Sequence, residues 1–252
     1  MLVYFMSLWY TILIILSLII IFLLIFGLPR KKSTRSPNIE GLDSPEVAKA
    51  FDKMTEILPF RILRKKIISR IRRLNPSGRL IDAGCGSGNL IVQLAKEFPT
   101  LELIGVDISN EILERAKIRL TKHERKIEFK EGSVENLPFP NEYADFIIST
   151  FSLHHWINPH RAFQEIYRVL KKEAIALIFD FRRDSRKFYY GFLTFVTKIV
   201  APKALKNVNE PIGSLKSSYT PLEAQELFSK EEIKDITIKP ILAWMFVQFN
   251  KH

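Results

Sequence analysis

The sequence contains a single cysteine, Cys85, among its 252 residues. One thiol cannot form an internal disulfide, and a chain without disulfides is typical of a reducing compartment. Cysteine and histidine do not occur at the spacings of a zinc site either, so we expect no metal centre. We interpret Cys85 as a small residue that fills a glycine-rich loop rather than as a reactive thiol.

Charged side chains are absent from the first 29 residues. Residues 2–28 are almost entirely apolar and, at about 1.5 Å per residue, form a helix longer than a hydrocarbon core of about 30 Å. We therefore predict a transmembrane anchor over residues 1–29. A secretory signal peptide is the alternative, but its apolar region usually spans about 7 to 15 residues and follows a basic start, which this chain lacks.

The residues that follow this span predict its orientation. Four basic residues lie between positions 30 and 35, and basic flanks favour the cytoplasmic side. We expect a single-pass membrane protein with a linker over residues 30–43, rich in serine, proline and charge. One domain over residues 44–252 would then face the cytoplasm.

Acidic residues are outnumbered by basic ones, 27 to 38, and the formal net charge of +11 lies entirely after the apolar segment. A basic excess is typical of proteins that bind nucleic acid or an anionic membrane face. Since the anchor would hold the domain beside lipid headgroups, we expect the membrane as partner and no nucleic acid. In the densest basic stretch, residues 60–74, Leu63, Ile67, Ile71 and Leu74 share one helical face, which favours packing on a sheet.

Glycine is sparse, with ten residues in the chain, yet three of them alternate at Gly84, Gly86 and Gly88. They follow Asp82, at the end of an apolar run, and precede a helical pattern. Glycine lets the backbone turn sharply and approach a ligand, and the next helix presents free N–H groups to it. The dinucleotide fingerprint G-x-G-x-x-G would need glycine where this chain has Asn89. The loop therefore predicts a nucleotide site of another kind.

A carboxylate lies about twenty residues beyond this loop. Residues 101–106 predict a buried strand that leads to Asp107, at the offset expected of an acid that binds ribose hydroxyls. The alternative is that Asp107 only caps the helix that begins near Ser109. Because the loop and the acid occur together at the right spacing, we favour the ribose site.

The segment Asp82-x-Gly84-x-Gly86-x-Gly88 resembles motif I of the class I S-adenosylmethionine-dependent methyltransferases. Residues 132–140, 145–150 and 165–170 resemble later landmarks of that family, near its quinone and sterol methylating branch. The resemblance implies S-adenosyl-L-methionine as cofactor. It also implies an α/β fold of Rossmann-like type, with a seven-stranded, mostly parallel sheet, an antiparallel C-terminal edge strand and helices on both faces.

The resemblance further implies which residues hold the cofactor. They are Asp82, Gly84, Cys85, Gly86, Gly88 and Asn89 around the loop, Asp107 and Ile108, Ser133 and Val134, and Thr150 and Phe151. Ser133 stands where the family usually has aspartate, so we expect adenine contacts from the backbone of Ser133 and Val134. His155 or His154 is the candidate acid-base residue, with His155 favoured by the family pattern. A purely local structural role for either histidine is the alternative.

Apolar strands alternate with helical patterns along the domain, which predicts a parallel sheet covered on both faces. We predict strands over residues 79–83, 101–107, 127–131, 144–150, 174–181, 233–239 and 241–250. We predict helices over residues 45–58, 60–74, 88–98, 110–120 and 159–170. Asn158 and Thr220, each followed by proline, are predicted N-caps of helices.

The alternation breaks over residues 182–218, where the family places a substrate cap. This insert is rich in aromatic residues and is bracketed by basic ones. We interpret it either as a cap helix buried against the domain or as a hydrophobic lid at the membrane interface that admits a lipid-soluble acceptor.

These observations predict a membrane-anchored, cytoplasm-facing methyltransferase with a small, lipophilic acceptor such as a quinone, an isoprenoid or a lipid headgroup. Methyl transfer from a sulfonium is an in-line displacement, in which the protein mainly aligns the reactants and excludes water. One alternative is an NAD(P)-dependent oxidoreductase, which Asn89 disfavours. The other is a non-catalytic tethered module that binds the cofactor. The oligomeric state has no readable signal in the sequence.

Overall fold

The structure is a computed structural model that describes residues 2–38, 41–121, 127–228, 233 and 235–252. The helices are α1 (Leu2–Phe22, followed by a π-helical turn, Leu23–Gly27), α2 (Pro45–Thr55), α3 (Leu58–Arg73), α4 (Asn89–Glu97), α5 (Asn110–Leu120), α6 (Pro159–Val169), α7 (Lys187–Phe195, followed by a π-helical turn, Val196–Val200), α8 (Lys203–Asn207), α9 (Ile212–Ser217) and α10 (Pro221–Phe228). The strands are β1 (Arg79–Ala83), β2 (Glu102–Asp107), β3 (Glu128–Glu131), β4 (Ala144–Thr150), β5 (Leu170–Phe181), β6 (Thr237–Ile241) and β7 (Trp244–Asn250).

Within the described residues the strands form one seven-stranded sheet in the order β3-β2-β1-β4-β5-β7-β6. The strands β1 to β5 are parallel, whereas β7 is antiparallel to both β5 and β6. The predicted sheet, with its antiparallel edge, is confirmed. The strand order reverses between β1 and β4, and ligands of open α/β sheets bind at the carboxyl ends of the strands at such a point.

The sheet is buried on both faces. Neighbouring residues of β1 belong to different cores: Ile81 packs with α6 residues such as Phe163, whereas Leu80 packs with α3 and α4 residues such as Ile71 and Leu94. All five of these side chains are fully buried. Two covered faces explain why the strands are continuous apolar runs rather than alternating ones.

The helix α3 packs on the sheet as its periodicity predicted. Ile67 and Ile71 are buried in one core, and Leu63 and Leu74 pack partly buried against it. The predicted caps are also confirmed. The Asn158 side chain accepts a hydrogen bond from the Arg161 N–H at 3.1 Å.

Predicted boundaries of the last three strands in the sequence were wrong. β5 begins at Leu170 instead of residue 174, because Leu170 already pairs with Ala144 of β4. β6 begins at Thr237, where pairing with β7 starts, and Ile241 belongs to β6 rather than to β7. Part of the predicted strand before Thr237 lies outside the described residues. Pro240 is tolerated in β6 because an edge strand has a side without ladder hydrogen bonds.

The N-terminal helix is the most apolar element of the chain. Trp9–Gly27 has a mean hydropathy of 2.9, and none of it is buried against the domain. Its length and composition are those of a membrane span, and equally those of a signal sequence.

Residues 30–38, which we call the strap, run along the insert without regular secondary structure beyond an isolated bridge at Arg30. The Lys31 N–H donates to the Ser185 carbonyl at 2.8 Å, and the Ser36 N–H donates to the Lys216 carbonyl at 3.1 Å. From the insert, the Arg183 guanidinium donates to the Ser33 carbonyl at 2.8 Å. The segment predicted as a linker is thus held by hydrogen bonds along most of the strap.

Candidate active site

The glycine loop turns at the carboxyl end of β1, and its three glycines all have positive φ. The angles are 80°, 53° and 75° at Gly84, Gly86 and Gly88. A Cβ at Gly84 would meet the Ser152 hydroxyl at 2.6 Å, and one at Gly88 would meet the Ala116 Cβ at 3.0 Å. A Cβ at Gly86 would meet nothing within 4 Å. Packing therefore requires glycine at the outer two positions, and the middle position leaves space for a ligand.

Asp107 connects this loop to the end of β2. Its carboxylate accepts the Gly86 N–H at 2.8 Å on one oxygen and the Ser109 N–H at 3.1 Å on the other. The N-cap of α5 is Ser109, whose hydroxyl accepts the Ile112 N–H. Asp107 is therefore not the N-cap of that helix. Carboxylate oxygens are also the kind of acceptor that ribose hydroxyls require.

Asp82 lies on β1 directly before the loop, and its side chain is completely buried. Neither carboxylate oxygen has a hydrogen-bond partner among the described residues. Burial, together with the nearby charge of Asp107, raises the pKa of Asp82 to about 8. A buried carboxyl without a partner is costly, and a cationic ligand nearby would stabilise its ionised form.

Cys85 is buried within the loop. Burial, and then the charges of Asp82 and Asp107, raise the pKa of the Cys85 thiol well above its usual value. The thiol is therefore protonated and a poor nucleophile at neutral pH. A Cβ at Gly105 of β2 would meet the Cys85 sulfur at 2.9 Å, which shows how closely the loop packs on that strand.

A cavity of about 720 Å³ opens beside the loop. Ten of the twelve predicted cofactor residues line it: Gly84, Cys85, Gly86, Asn89, Asp107, Ile108, Ser133, Val134, Thr150 and Phe151. The other two, Asp82 and Gly88, are not among the residues that line the cavity. The carboxyl ends of β1 to β4 therefore bring together residues that are up to 67 positions apart in the sequence.

The predicted adenine positions on the far side of this cavity, Ile108, Ser133 and Val134, have neutral side chains. The Ser133 hydroxyl accepts the Glu135 N–H at 3.1 Å and so stabilises its own turn. Ile108 exposes 69% of its surface, whereas Val134 is half-buried. Apolar surface beside backbone groups suits a flat, uncharged heterocycle such as adenine.

Both candidate histidines also line the cavity. His154 is buried, and its Nδ1 lies 2.6 Å from the Asp180 carboxylate, which also accepts the His154 backbone N–H at 2.9 Å. The His155 ring lies beside it, with the two ring centroids 4.0 Å apart. A carboxylate at Nδ1 keeps the proton on that nitrogen and makes Nε2 the basic atom of a neutral imidazole. The family pattern favoured His155, but the carboxylate partner belongs to His154.

Arg35 of the strap is a site residue that the sequence analysis missed. It donates to the Ser217 carbonyl at 2.6 Å and to the His154 carbonyl at 3.1 Å. Its guanidinium also lies over the Tyr219 ring, 4.3 Å from the centroid. In the sequence it was only one of several basic residues after an apolar span, and no motif distinguished it.

The helix α2 closes the cavity from the N-terminal side. The Asn89 side chain, at the start of α4, donates to the Thr55 hydroxyl at 3.0 Å. Arg119 of α5 donates to the Ser87 carbonyl at 3.0 Å and forms ion pairs with Asp52 and Glu56. Asn89 thus has a structural role in addition to lining the cavity, which its position in the loop motif did not reveal.

The chain matches known proteins over this region and beyond it. Residues 81–178 match the model of a methyltransferase domain. A ubiquinone/menaquinone biosynthesis C-methyltransferase from Rickettsia akari is 26% identical over 224 residues, which cover 85% of this chain and 88% of that protein. A similar enzyme from Syntrophotalea carbinolica is 29% identical over 159 residues, 62% of this chain and 67% of that protein.

Solved structures share the fold at lower identity. A SAM-dependent methyltransferase from Aquifex aeolicus superimposes with a TM-score of 0.61 at 18% identity, covering 82% of this chain and 97% of that one. A plantazolicin methyltransferase in complex with S-adenosylhomocysteine (SAH) superimposes with a TM-score of 0.64 at 17% identity, covering 83% and 91%.

The sheet order and the glycine loop with its acid on β2 are those of the class I methyltransferase fold. Together with the matches to a methyltransferase domain and to quinone C-methyltransferases, they indicate an S-adenosylmethionine-dependent methyltransferase. Its cofactor is S-adenosyl-L-methionine. The open space at Gly86 and the carboxylate of Asp107 at the loop suit this molecule. Within that class it is similar over most of its length to ubiquinone/menaquinone C-methyltransferases. The matches therefore favour a methyltransferase over the two alternatives of the sequence analysis, an NAD(P)-dependent oxidoreductase and a non-catalytic module.

Proposed function

We propose that this enzyme is anchored in a membrane and methylates a ring carbon of a reduced isoprenoid quinone. The relatives named as quinone C-methyltransferases support this acceptor class. The observation that carries the proposal is the buried His154–Asp180 pair on the wall of the cavity that the glycine loop borders. A hydroquinone must lose a proton as its ring carbon attacks, and this pair supplies a base at the site of attack.

The cofactor supplies the methyl group as an electrophile and leaves as SAH. A C–C bond would form at the ring carbon as the C–S bond of the bound donor breaks. His154, oriented by Asp180, would take the hydroxyl proton of the hydroquinone during this attack. The ring would then lose the hydrogen that the methyl group replaces while the oxygen regains a proton, so that one proton is released in total. His155 lies beside His154 to contact the acceptor. Phe151 and Trp156 exclude water from the same wall.

The predicted cofactor residues have separate roles in this proposal. Asp107 accepts hydrogen bonds from the ribose hydroxyls, and Ile108 with the backbone of Ser133 and Val134 contacts adenine. The loop N–H groups and the carboxyl of Asp82 face the amino-acid end, whose ammonium group stabilises ionised Asp82. Thr150 borders the transferring methyl group.

The membrane part of the proposal rests on α1. Its exposed apolar surface, followed by the basic residues of the strap, supports a single span with the domain on the cytoplasmic side. An anchored domain would meet an isoprenoid quinone where that lipid resides, which raises the effective concentration of both.

The test is a transfer assay with the full chain in phospholipid vesicles. The vesicles contain a reduced demethylmenaquinone, and the donor carries a labelled methyl group. We expect label on a ring carbon of the quinone, located by mass spectrometry. Label on a quinone oxygen or on a phospholipid headgroup instead would contradict the proposed acceptor.

The matched control is Asp107→Ala in the same vesicles. Loss of the ribose acceptor should lower transfer by about a hundredfold, since it removes two charge-assisted hydrogen bonds of roughly 1.5 kcal/mol each. Equal transfer by the variant would show that the activity does not depend on this site.

A further inference from the structure

The insert presents an apolar surface that is largely exposed to solvent. Phe192, Phe195, Ile199 and Val200, on α7 and its π-helical turn, expose 49%, 55%, 64% and 63% of their surfaces. Phe188 stacks on Phe192 from one helical turn before, with ring centroids 6.2 Å apart. Aromatic and branched side chains grouped on one helical face are uncommon on the surface of a soluble domain and indicate a contact surface. We call these five residues the apolar patch.

The charge around the apolar patch has one sign. Residues 185–209 contain five basic residues and no acidic one. Lys198 lies within the patch and is exposed, and Lys203 and Lys206 follow on α8. Exposed apolar side chains with basic flanks are typical of helices that lie in the plane of an anionic membrane interface.

The patch begins where the apolar N-terminal segment ends. The Lys187 N–H, at the start of α7, donates to the Pro29 carbonyl at 2.9 Å. The Arg186 guanidinium donates to the Leu28 carbonyl at 2.7 Å, and the backbones of Arg30 and Arg186 form an isolated antiparallel bridge. A membrane span that ends at Leu28 would therefore hold the start of α7 at headgroup level.

We propose that α7 and its π-helical turn are a second membrane contact, in which the apolar patch lies in the interface of an anionic bilayer. This inference rests on the proposed membrane anchor. The two contacts, one across the bilayer and one along its surface, would fix the orientation of the domain. A single span alone would not fix the tilt of the domain relative to the bilayer plane.

The strap then connects this contact to the active site. Its nine residues leave the bilayer beside α7, and Arg35 reaches the His154 carbonyl at the cavity wall. At about 3.3 Å per residue the strap spans at most roughly 30 Å. The docked patch would thus keep the cavity within roughly 30 Å of the membrane surface, so that a lipid tail could remain in the bilayer during transfer.

The test uses the full chain in vesicles and a reporter on the patch. Ile199→Cys is labelled with a polarity-sensitive fluorophore, and lipids with quenchers at headgroup depth are added. The control is Ile118→Cys on α5, an isoleucine of similar exposure, 63%. The native Cys85 is buried and has a raised pKa, so the unsubstituted chain reports background labelling.

We expect a blue-shifted, strongly quenched reporter at position 199 and an unquenched one at position 118. The quenching at 199 should increase with phosphatidylserine and fall in the variant Phe192→Asp/Phe195→Asp. Equal quenching at both positions overturns the inference, and so does self-quenching between labels at 199, which would mean that a second copy of the chain covers the patch. Quinone methylation is measured on the same samples. Normal methyl transfer without quenching at position 199 would contradict the second membrane contact but not the proposed function.

Discussion

At the scale of single residues, a substitution at Gly86 should lower cofactor affinity much more than it lowers the stability of the fold. The φ of 53° at this residue and the open space around it mean that a methyl group would be strained and would project toward the cavity. Gly86→Ala should cost about 1 kcal/mol in stability but lower the affinity for S-adenosylmethionine by at least about tenfold. Calorimetric titration and urea unfolding measure the two effects.

The matched control is Gly191→Ala on α7, where an added Cβ also meets nothing within 4 Å and the backbone is helical. This substitution should leave affinity unchanged and raise stability slightly, since alanine favours a helix. If the two variants bind the cofactor equally well, the middle of the loop does not face the ligand.

Asp82 predicts a pH dependence of stability. Its pKa is about 8 in the folded protein against 3.8 for an ordinary aspartate. Between those values the folded protein retains a proton that the unfolded chain has released, so the free energy of unfolding falls as pH rises from about 4 to about 8. Asp82→Asn should remove this fall and gain stability over the unsubstituted protein by an amount that grows to a few kcal/mol across that window.

Urea unfolding of both proteins at several pH values, without cofactor, measures that difference. A difference that does not vary with pH would show that Asp82 is already ionised in the folded state. Bound S-adenosylmethionine should reduce the pH dependence of the unsubstituted protein, because its ammonium group favours the ionised carboxyl.

The residues of the site differ in how far the sequence could predict them. Gly84, Gly86 and Asp107 were predictable because a sharp turn requires glycine and the acid follows at a characteristic spacing. The partnership of His154 with Asp180 was not, since the two are 26 residues apart and meet only when β4 and β5 pair. The sequence shows that Asp180 lies at the end of a strand, but it does not show which neighbouring side chain this carboxylate orients.

At the scale of elements, the strap is where the structure adds most to the sequence. Its composition predicts a linker, and its hydrogen bonds reach residues that lie more than a hundred positions away. Local pattern carries no signal for such pairings. In contrast, the caps of α6 and α10 were predictable because their hydrogen bonds are local: the Thr220 and Glu223 side chains each accept the other's backbone N–H, at 3.2 and 2.8 Å.

The strap also yields a prediction about turnover. Arg35→Ala removes the donor to the His154 carbonyl and the stacking on Tyr219, so kcat should fall by about tenfold while the affinity for S-adenosylmethionine stays the same. Arg35→Lys should retain only part of the normal kcat, because lysine lacks the planar guanidinium with its several N–H donors. The exposed Lys32→Ala is the control within the strap.

Steady-state kinetics over a range of pH distinguish positioning from general destabilisation. If Arg35 positions His154, the pH profile of kcat should shift in Arg35→Ala and return toward normal in the lysine variant. A parallel loss at every pH, together with weaker cofactor binding, would mean that the strap only stabilises the domain.

At the scale of the whole molecule, the alternation of strands and helices was enough to predict the parallel sheet and hence the edge at which ligands bind. The β5 boundary was not predictable from local pattern, because the strand begins where Leu170 pairs with Ala144 of β4, before an irregularity in the register of the two strands. Pairing with a neighbouring strand outweighs weak local preference. The position of the insert beside the N-terminal segment likewise depends on long-range contacts, such as the hydrogen bond from the Lys187 N–H to the Pro29 carbonyl.

The central claim is that the cofactor lies against the glycine loop with its ribose on Asp107. A crystal structure of the protein with SAH tests it most directly. The account predicts both ribose hydroxyls within about 3 Å of the Asp107 carboxylate and the amino-acid end over Gly86. A ligand bound elsewhere, or side chains that fill this cavity while the ligand is present in excess, would contradict it.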